Sequence, residues 1–194
     1  RVLYVGRVDP EKSISNVVSA FAGVLEKVPE AELVIVGDGT DRQHLVDLVK
    51  ALGIEKNVKF PGRIMSLDII DIYRSATLFA TASETETQGI VLIEAAATGL
   101  PLVAVDAGAV RELCQNRKNG ILCNPRQTEE MTKAFVKILT DEKIQEKYGA
   151  KSLEIAKKHD LNRTLRRFVE IYEEAIRLKG KELPKKRWFW RRRS

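Results

Sequence analysis

An apolar strand runs into a helix start in the stretch Ser83-Glu84-Thr85-Glu86-Thr87-Gln88-Gly89-Ile90-Val91-Leu92-Ile93-Glu94-Ala95. Gly89 lets the backbone approach a ligand closely, and the free amides at the start of the helix carry partial positive charge. The turn is therefore suited to binding an anion such as phosphate. Because carboxylates do not bind phosphate, we expect Glu86 and Glu94 to accept hydrogen bonds from hydroxyl groups of the same ligand, such as those of a ribose or a sugar.

Short apolar strands alternate with amphipathic helices on both sides of this junction. The strands are predicted at Val2 to Val5, Ala31 to Val36, Val58 to Phe60, Thr77 to Ala80, Leu102 to Val105 and Ile121 to Leu122. The helices are predicted to begin near Ser13, Asp41, Ser66, Ile90, Ala109, Gln127, Asp141 and Leu161, and the Ser13 side chain is expected to cap the first of them. This alternation predicts an α/β fold with a Rossmann-like, doubly wound parallel sheet. Ligands of such sheets bind beyond the carboxyl ends of the strands, where Gly6, Gly37 and the turn at 83–89 all fall.

The chain resembles family 4 of the retaining glycosyltransferases, which have the two-domain GT-B architecture and carry a Glu-x7-Glu signature in their C-terminal half. Glu86 and Glu94 stand at that spacing. The other motifs follow in the family's order: Gly6-Arg7 with Lys12, Val36-Gly37-Asp38-Gly39, Val58-Lys59-Phe60-Pro61-Gly62-Arg63, Gly99-Leu100-Pro101 and Gly108-Ala109-Val110-Arg111-Glu112. The resemblance covers the chain up to about Leu183 and implies the donor-binding, C-terminal domain of a hexosyltransferase.

The resemblance also implies which part of the ligand each group of the signature turn binds. Glu94 would bind the ribose hydroxyls, Glu86 the hydroxyls of the transferred sugar, and the amides of Gly89, Ile90 and Val91 the phosphate. No Asp-x-Asp motif, which holds a divalent metal in the other large glycosyltransferase architecture, occurs in the sequence. We therefore expect no metal and no cofactor besides the nucleotide-sugar substrate.

Two cations, Arg7 and Lys12, lie on the loop that follows the first strand. Negative charge grows on a nucleoside diphosphate as its bond to the sugar breaks, and a pair of cations at the ligand edge stabilises that charge. The spacing alone fits two solvated loop cations equally well. The matching glutamate pair favours a catalytic role, which we predict for Arg7, Lys12 and Glu86.

The glycines of the segment 36–39 do not form a dinucleotide-binding fingerprint. That motif needs a third glycine where Arg42 stands, and it follows the first strand of the fold rather than the second. Gly37 is instead predicted to let the backbone pass close to a nucleotide. The loop after the third strand resembles the family's base-recognition loop, in which main-chain groups of Arg63 and Ile64 would contact the base. A simple strand-to-helix turn is the alternative for this loop.

The net charge of +6 comes from the end of the chain. Residues 177–194 carry nine Lys or Arg against one Glu, which leaves the other 176 residues at −2. A solvated tail is the leading interpretation of the segment Lys185–Arg193; its tryptophans and cations suit an anionic membrane surface almost as well, and nucleic-acid binding is the least favoured alternative. We divide the chain into a nucleotide-sugar-binding domain at 1–180 and a basic aromatic tail at 181–194.

Composition is ordinary for a soluble globular protein, with 44% hydrophobic and 31% charged residues and no apolar run of membrane-spanning length. Cys114 and Cys123 are interpreted as core thiols of a reducing compartment. The chain begins with Arg1 and enters a strand at once, which predicts a piece of a longer polypeptide whose N-terminal acceptor domain is absent. A cytoplasmic location is expected, and any attachment of the tail to a membrane would be peripheral and at its inner face.

The leading hypothesis is thus the donor-binding half of a glycosyltransferase that takes a hexosyl group from a nucleoside diphosphate sugar, with UDP as the expected nucleotide. A lipid acceptor would suit a membrane-binding tail. Two alternatives stay open: a non-catalytic nucleotide-binding or membrane-tethering module of the same fold, and a phosphorylase of similar architecture.

Overall fold

The computed structural model describes residues 1–64 and 68–179 in two compact units, of which the first spans residues 1–157 and the second begins at Lys158. The strands of the first unit are β1 Val2–Val5, β2 Leu33–Val36, β3 Val58–Gly62, β4 Leu78–Thr81, β5 Leu102–Val105 and β6 Gly120–Cys123. Its helices are α1 Ile14–Val24, α2 Arg42–Ala51, α3 Asp68–Arg74, α4 Ile90–Ala97, α5 Val110–Leu113, α6 Thr128–Leu139 and α7 Glu142–Ala156. The second unit contains α8 Leu161–Lys179.

The six strands form one parallel sheet in the order β3-β2-β1-β4-β5-β6. This confirms the predicted Rossmann-like, doubly wound α/β fold. The strand order reverses between β1 and β4, so the chain leaves these two neighbours in opposite directions along the sheet. The loops that follow them border a crevice at the carboxyl edge, which is where sheets of this kind bind ligands.

Two apolar cores cover the two faces of the sheet. Alternate residues of β1 enter different cores: Val2 and Tyr4 pack with α1 and α6, whereas Leu3 packs with the apolar residues of α3, α4 and α5. Period-two alternation of side chains explains this division, and burial on both faces explains why the strands are almost wholly apolar. The sheet is therefore a fixed platform for the loops at its edge.

Ser13 stands at the predicted position before α1, but the predicted cap is wrong. Its backbone has a φ of 49°, and its side chain makes no capping bond within the part of the chain that the structure describes. The cause is a 3-10 turn at Pro10–Lys12, which the Ser13 amide closes by donating to the Pro10 carbonyl at 3.0 Å.

Most predicted elements are present with small shifts in their ends. β3 runs on through Pro61, because it is an edge strand and needs no amide on its open side. The predicted helix start at Ser66 and the tail at 181–194 lie outside the described residues, and the domain boundary at 180 stays a prediction. None of the helices described is long and apolar enough to cross a membrane.

Cys114 and Cys123 are free and buried, as the sequence predicted. Burial raises the pKa of both thiols, that of Cys123 to about 12. They are therefore protonated and unreactive near neutral pH.

Candidate functional site

A cleft of about 240 Å³ opens at the switch point, between the loop after β1 and the turn after β4. It brings together seven of the residues predicted from the sequence: Gly6, Arg7, Lys12, Glu86, Gly89, Ile90 and Val91. Four others, Gly37, Arg63, Ile64 and Glu94, do not line it. The cleft thus gathers both predicted cations, one of the two glutamates and the predicted phosphate-binding amides.

Lys12 and Glu86 join the two sides of this cleft. The Lys12 Nζ donates to Glu86 Oε1 at 2.7 Å, and the two side chains are only 16% and 15% exposed. The residues are far apart in sequence and meet because β1 and β4 are neighbours in the sheet. Partial burial makes this ion pair stronger than one at an open surface, since less water screens it.

Arg7 is held differently, on the open side of the same loop. Its guanidinium donates to Asp9 and, at 2.7 Å, to Glu11, and its side chain is 65% exposed. Asp9 also accepts the backbone amide and the hydroxyl of Thr40, both at 3.0 Å. These two hydrogen bonds, more than the charge of Arg7, lower the pKa of the Asp9 carboxyl. Asp9 therefore ties the Arg7 loop to the loop after β2.

The start of α4 presents free amides to the cleft. Gly89 precedes the helix with a φ of 61°, a conformation that favours glycine, and a Cβ there would come within 2.8 Å of the Leu113 side chain. The Gly89 carbonyl accepts the amides of Leu92 and Ile93. The amides of Ile90 and Val91 donate to no acceptor in the described part of the chain. They are a ready anion-binding group beside Lys12.

Close backbone packing requires glycine at position 37. A Cβ on Gly37, whose φ is 133°, would collide with the Gly6 carbonyl oxygen. Backbone hydrogen bonds tie the same edge together, from the Gly6 amide to Val36 and from the Gly37 amide to Gly62. Tyr4 adds to this by donating its hydroxyl to the Arg7 carbonyl at 2.8 Å. Gly37 is thus needed to bring the first two loops together, whatever its relation to a nucleotide.

The predicted base-recognition residues lie one loop away from the cleft. Arg63 is exposed and Ile64 packs against the second core. Beside them the Arg42 guanidinium lies 5.8 Å from the centre of the Phe60 ring and donates to the Phe60 carbonyl at 3.3 Å. Arg42 is the position where a dinucleotide motif would need glycine, and here its side chain packs on β3 instead.

Two supports of the site were missed from the sequence. The Ala109 amide donates to the Glu86 carbonyl at 3.3 Å, and a Cβ on Gly108 would lie 2.8 Å from that oxygen. Arg111 donates to both carboxylate oxygens of Asp106 and holds the ends of this loop together. The second support is Tyr73, which donates its hydroxyl to Glu94 at 2.8 Å. The only sequence signal for either was the glycine at 108.

Across residues 1–64 and 68–179, no group of three His, Cys, Asp or Glu side chains is arranged to hold a metal ion. The expectation that no metal is needed stays a prediction.

The fold and the cleft define a doubly wound α/β domain that gathers two cations, a carboxylate and free helix amides at the switch point of its sheet. The chain belongs to the family described as glycosyl transferases group 1, which residues 1–154 match. This confirms the resemblance inferred from the glutamate signature and its companion motifs.

Known proteins agree with this assignment. The chain is 30% identical to the sulfoquinovosyl transferase SQD2 of Arabidopsis thaliana. The similarity covers 100% of this chain and 35% of SQD2. It superposes with a TM-score of 0.81 on Alr3699/HepE of Anabaena, solved in complex with UDP-glucose, at 26% identity over 89% of this chain and 48% of the other. A TM-score of 0.73 at 25% identity relates it to the C-terminal domain of the group 1 glycosyl transferase LpcC of Francisella tularensis, with 81% of this chain and 84% of that one covered. The chain spans less than half the length of the curated relatives it matches.

Proposed function

We propose that this chain is the donor-binding half of a glycosyltransferase that transfers a hexosyl group from a UDP-sugar to an acceptor. The observation that carries the proposal is the ion pair of Lys12 and Glu86 across the switch-point cleft, directly beside the free amides of Ile90 and Val91. UDP is favoured as the nucleotide because the similar Anabaena protein was solved with UDP-glucose.

Glycosyl transfer breaks the bond between the anomeric carbon of the sugar and the diphosphate. Negative charge then grows on the departing phosphate, and a fixed cation at that point stabilises it. In the proposed mechanism Lys12 leaves Glu86 and binds the diphosphate together with the amides of Ile90 and Val91, and Arg7 turns from its carboxylates to the same group. No metal is proposed for this step. Retention of the anomeric configuration is what the family resemblance implies.

The carboxylates would bind the neutral parts of the donor. Glu86, once released from Lys12, accepts hydrogen bonds from the transferred sugar, and Glu94 accepts those of the ribose. Main-chain groups of Arg63 and Ile64 would contact the base. Glu94 supports this division, because it forms no ion pair with any residue that the structure describes, which leaves its carboxylate available to hydroxyl groups.

A companion N-terminal domain is proposed to hold the acceptor and to close the cleft. This part of the proposal is supported by coverage, because the chain spans less than half the length of these curated relatives. We accordingly expect the 194-residue chain to bind donor weakly and to transfer little. Peripheral attachment to an anionic membrane and a lipid acceptor stay predictions from the tail.

The test is calorimetric titration of the 194-residue chain with UDP and UDP-glucose, beside an Arg7→Ala/Glu94→Ala double variant whose folding is checked by circular dichroism. Saturable binding that the double variant loses is the expected result. A Lys133→Ala/Glu129→Ala variant removes the same types of charge from the exposed face of α6 and should bind like the unmodified chain. Equal binding by the site variant would place the nucleotide elsewhere and overturn the proposal.

The substitution Glu86→Ala in the longer protein distinguishes an enzyme from a non-catalytic nucleotide-binding module. Loss of transfer by about two to three orders of magnitude is expected, since the group acts on the reacting sugar. Transfer at the unmodified rate would favour the module.

A further inference from the structure

Tyr73 is a buried tyrosine whose hydroxyl reaches the edge of the candidate site. It lies in the last turn of α3, its residue is 1% exposed, and its ring packs against Phe79 of β4 with the ring centres 6.1 Å apart. Two surrounding elements thus fix the position of its hydroxyl.

The hydroxyl of this fixed ring has one good hydrogen-bond acceptor. It donates to Glu94 Oε2 at 2.8 Å, whereas the Val91 carbonyl lies at 3.5 Å, which is long for a hydroxyl donor. Burial raises the pKa of the Tyr73 hydroxyl, and the charge of Glu94 raises it further. The group is therefore a proton donor throughout the neutral range.

Glu94 itself is exposed on the surface of α4. An exposed glutamate has three free side-chain torsions and loses rotamer entropy when a ligand fixes it. The bond from Tyr73 fixes one carboxylate oxygen in advance and leaves Oε1 without a partner in the described part of the chain. That free oxygen is oriented before any ligand arrives, which lowers the entropic cost of binding.

We propose that Tyr73 is a positioning residue for the nucleotide ribose, acting through Glu94. The proposal rests on the proposed function, in which Glu94 accepts the ribose hydroxyls. Tyr73 touches no ligand in this account. It holds Glu94 Oε2 so that Oε1 accepts a ribose hydroxyl in a single geometry.

A purely structural role is the competing explanation, because a buried tyrosine hydroxyl needs a hydrogen-bond partner in any protein. The two explanations differ in what depends on Glu94. A structural tyrosine would weaken binding by moving α4, with or without the glutamate. A positioning tyrosine has no effect on binding once the glutamate is absent.

The experiment is a double-mutant cycle on the 194-residue chain, with UDP and 2′-deoxy-UDP as calorimetric probes. Tyr73→Phe keeps the ring and removes the hydroxyl, Glu94→Ala removes the carboxylate, and the double variant combines them. Tyr148→Phe removes the hydroxyl of a buried tyrosine on α7, outside the cleft, and is the matched control. Thermal unfolding of every variant shows whether the fold is kept.

The expected result is a roughly fivefold loss of UDP affinity in Tyr73→Phe, the size of one hydrogen bond. The preference for UDP over 2′-deoxy-UDP should fall with it, and neither quantity should change further when Tyr73→Phe is added to Glu94→Ala. An equal loss in the presence and absence of Glu94 would overturn the positioning role and leave the ribose assignment of Glu94 standing. If Glu94→Ala itself keeps the full preference for UDP, the ribose assignment fails and the role of Tyr73 fails with it.

Discussion

Glu86 and Glu94 belong to one signature but are held by chemically different partners. Glu86 is paired with a cation, Lys12, in a half-buried contact across the cleft. Glu94 accepts a neutral hydroxyl from Tyr73 on the flank of α4. If the diphosphate binds Lys12, the ion pair of Lys12 with Glu86 must break when the ligand binds. The hydrogen bond from Tyr73 uses only one oxygen of Glu94 and can persist in the complex. Under the proposed function, the first glutamate therefore gives up its cation to the ligand, and the second is oriented for the ligand in advance. We call Lys12 with Glu86 the exchanging pair and Tyr73 with Glu94 the preoriented pair.

The largest effect should come from removing the cation of the exchanging pair. Lys12→Ala is expected to weaken UDP binding to the 194-residue chain by about 10- to 100-fold, because hydrogen bonds to charged groups contribute roughly 1.5–3 kcal/mol. Calorimetric titration measures the change, with Lys133→Ala on α6 as the matched control. Binding within twofold of the unmodified chain would show that the diphosphate does not use Lys12.

The two glutamates should respond with opposite signs to the same substitution. Glu86→Gln is expected to raise UDP affinity about fivefold, because the diphosphate no longer competes with a carboxylate for Lys12. Glu94→Gln should lower it about tenfold, because the ribose loses a charged acceptor. Titration with UDP compares the two, and Glu129→Gln on the exposed face of α6 is the control. Changes in the same direction would contradict the distinction between the two sites.

A smaller gain is expected when Arg7 is freed from its surface partner. Glu11→Gln removes the negative charge that lies 2.7 Å from the Arg7 guanidinium, on a loop where both side chains are well exposed. Exposed ion pairs contribute little, so UDP affinity should rise no more than about fivefold. The gain should vanish in an Arg7→Ala background. A gain that persists there would arise from the overall charge of the loop instead.

The smallest expected effect is an absence of pH dependence. Burial raises the pKa of Tyr73 above its ordinary value near 10, so the contribution of its hydrogen bond is fully present below that value. It is lost only as the pH rises through the raised pKa. The preference for UDP over 2′-deoxy-UDP should therefore be flat between pH 6 and 9. A fall within this range would mean that another group controls the ribose contact.

The sequence predicted the exchanging pair better than the preoriented one. Lys12 and Glu86 each lie in the segment that follows an apolar strand, and the carboxyl ends of parallel strands meet at one edge of the sheet. The alternation of strands and helices is enough to place these residues at that edge, and it also predicted the bounds of β1 and β5 correctly.

The supports of the site depend on contacts that no local pattern records. In the sequence, Tyr73 is indistinguishable from the other apolar residues of an amphipathic helix. Its hydroxyl contacts Glu94 because α3 and α4 pack on the same face of the sheet. The contact of the loop at 106–109 with the Glu86 carbonyl is likewise tertiary. The mistaken cap at Ser13 has the opposite cause, a good local pattern that the preceding 3-10 turn overrides.

The most direct test is a crystal structure of the 194-residue chain with UDP-glucose. We predict the diphosphate on Lys12 and the amides of Ile90 and Val91, the glucose on a released Glu86, and the ribose on Glu94 with the Tyr73 hydrogen bond intact. A nucleotide bound elsewhere, with Lys12 still paired to Glu86, would contradict the account.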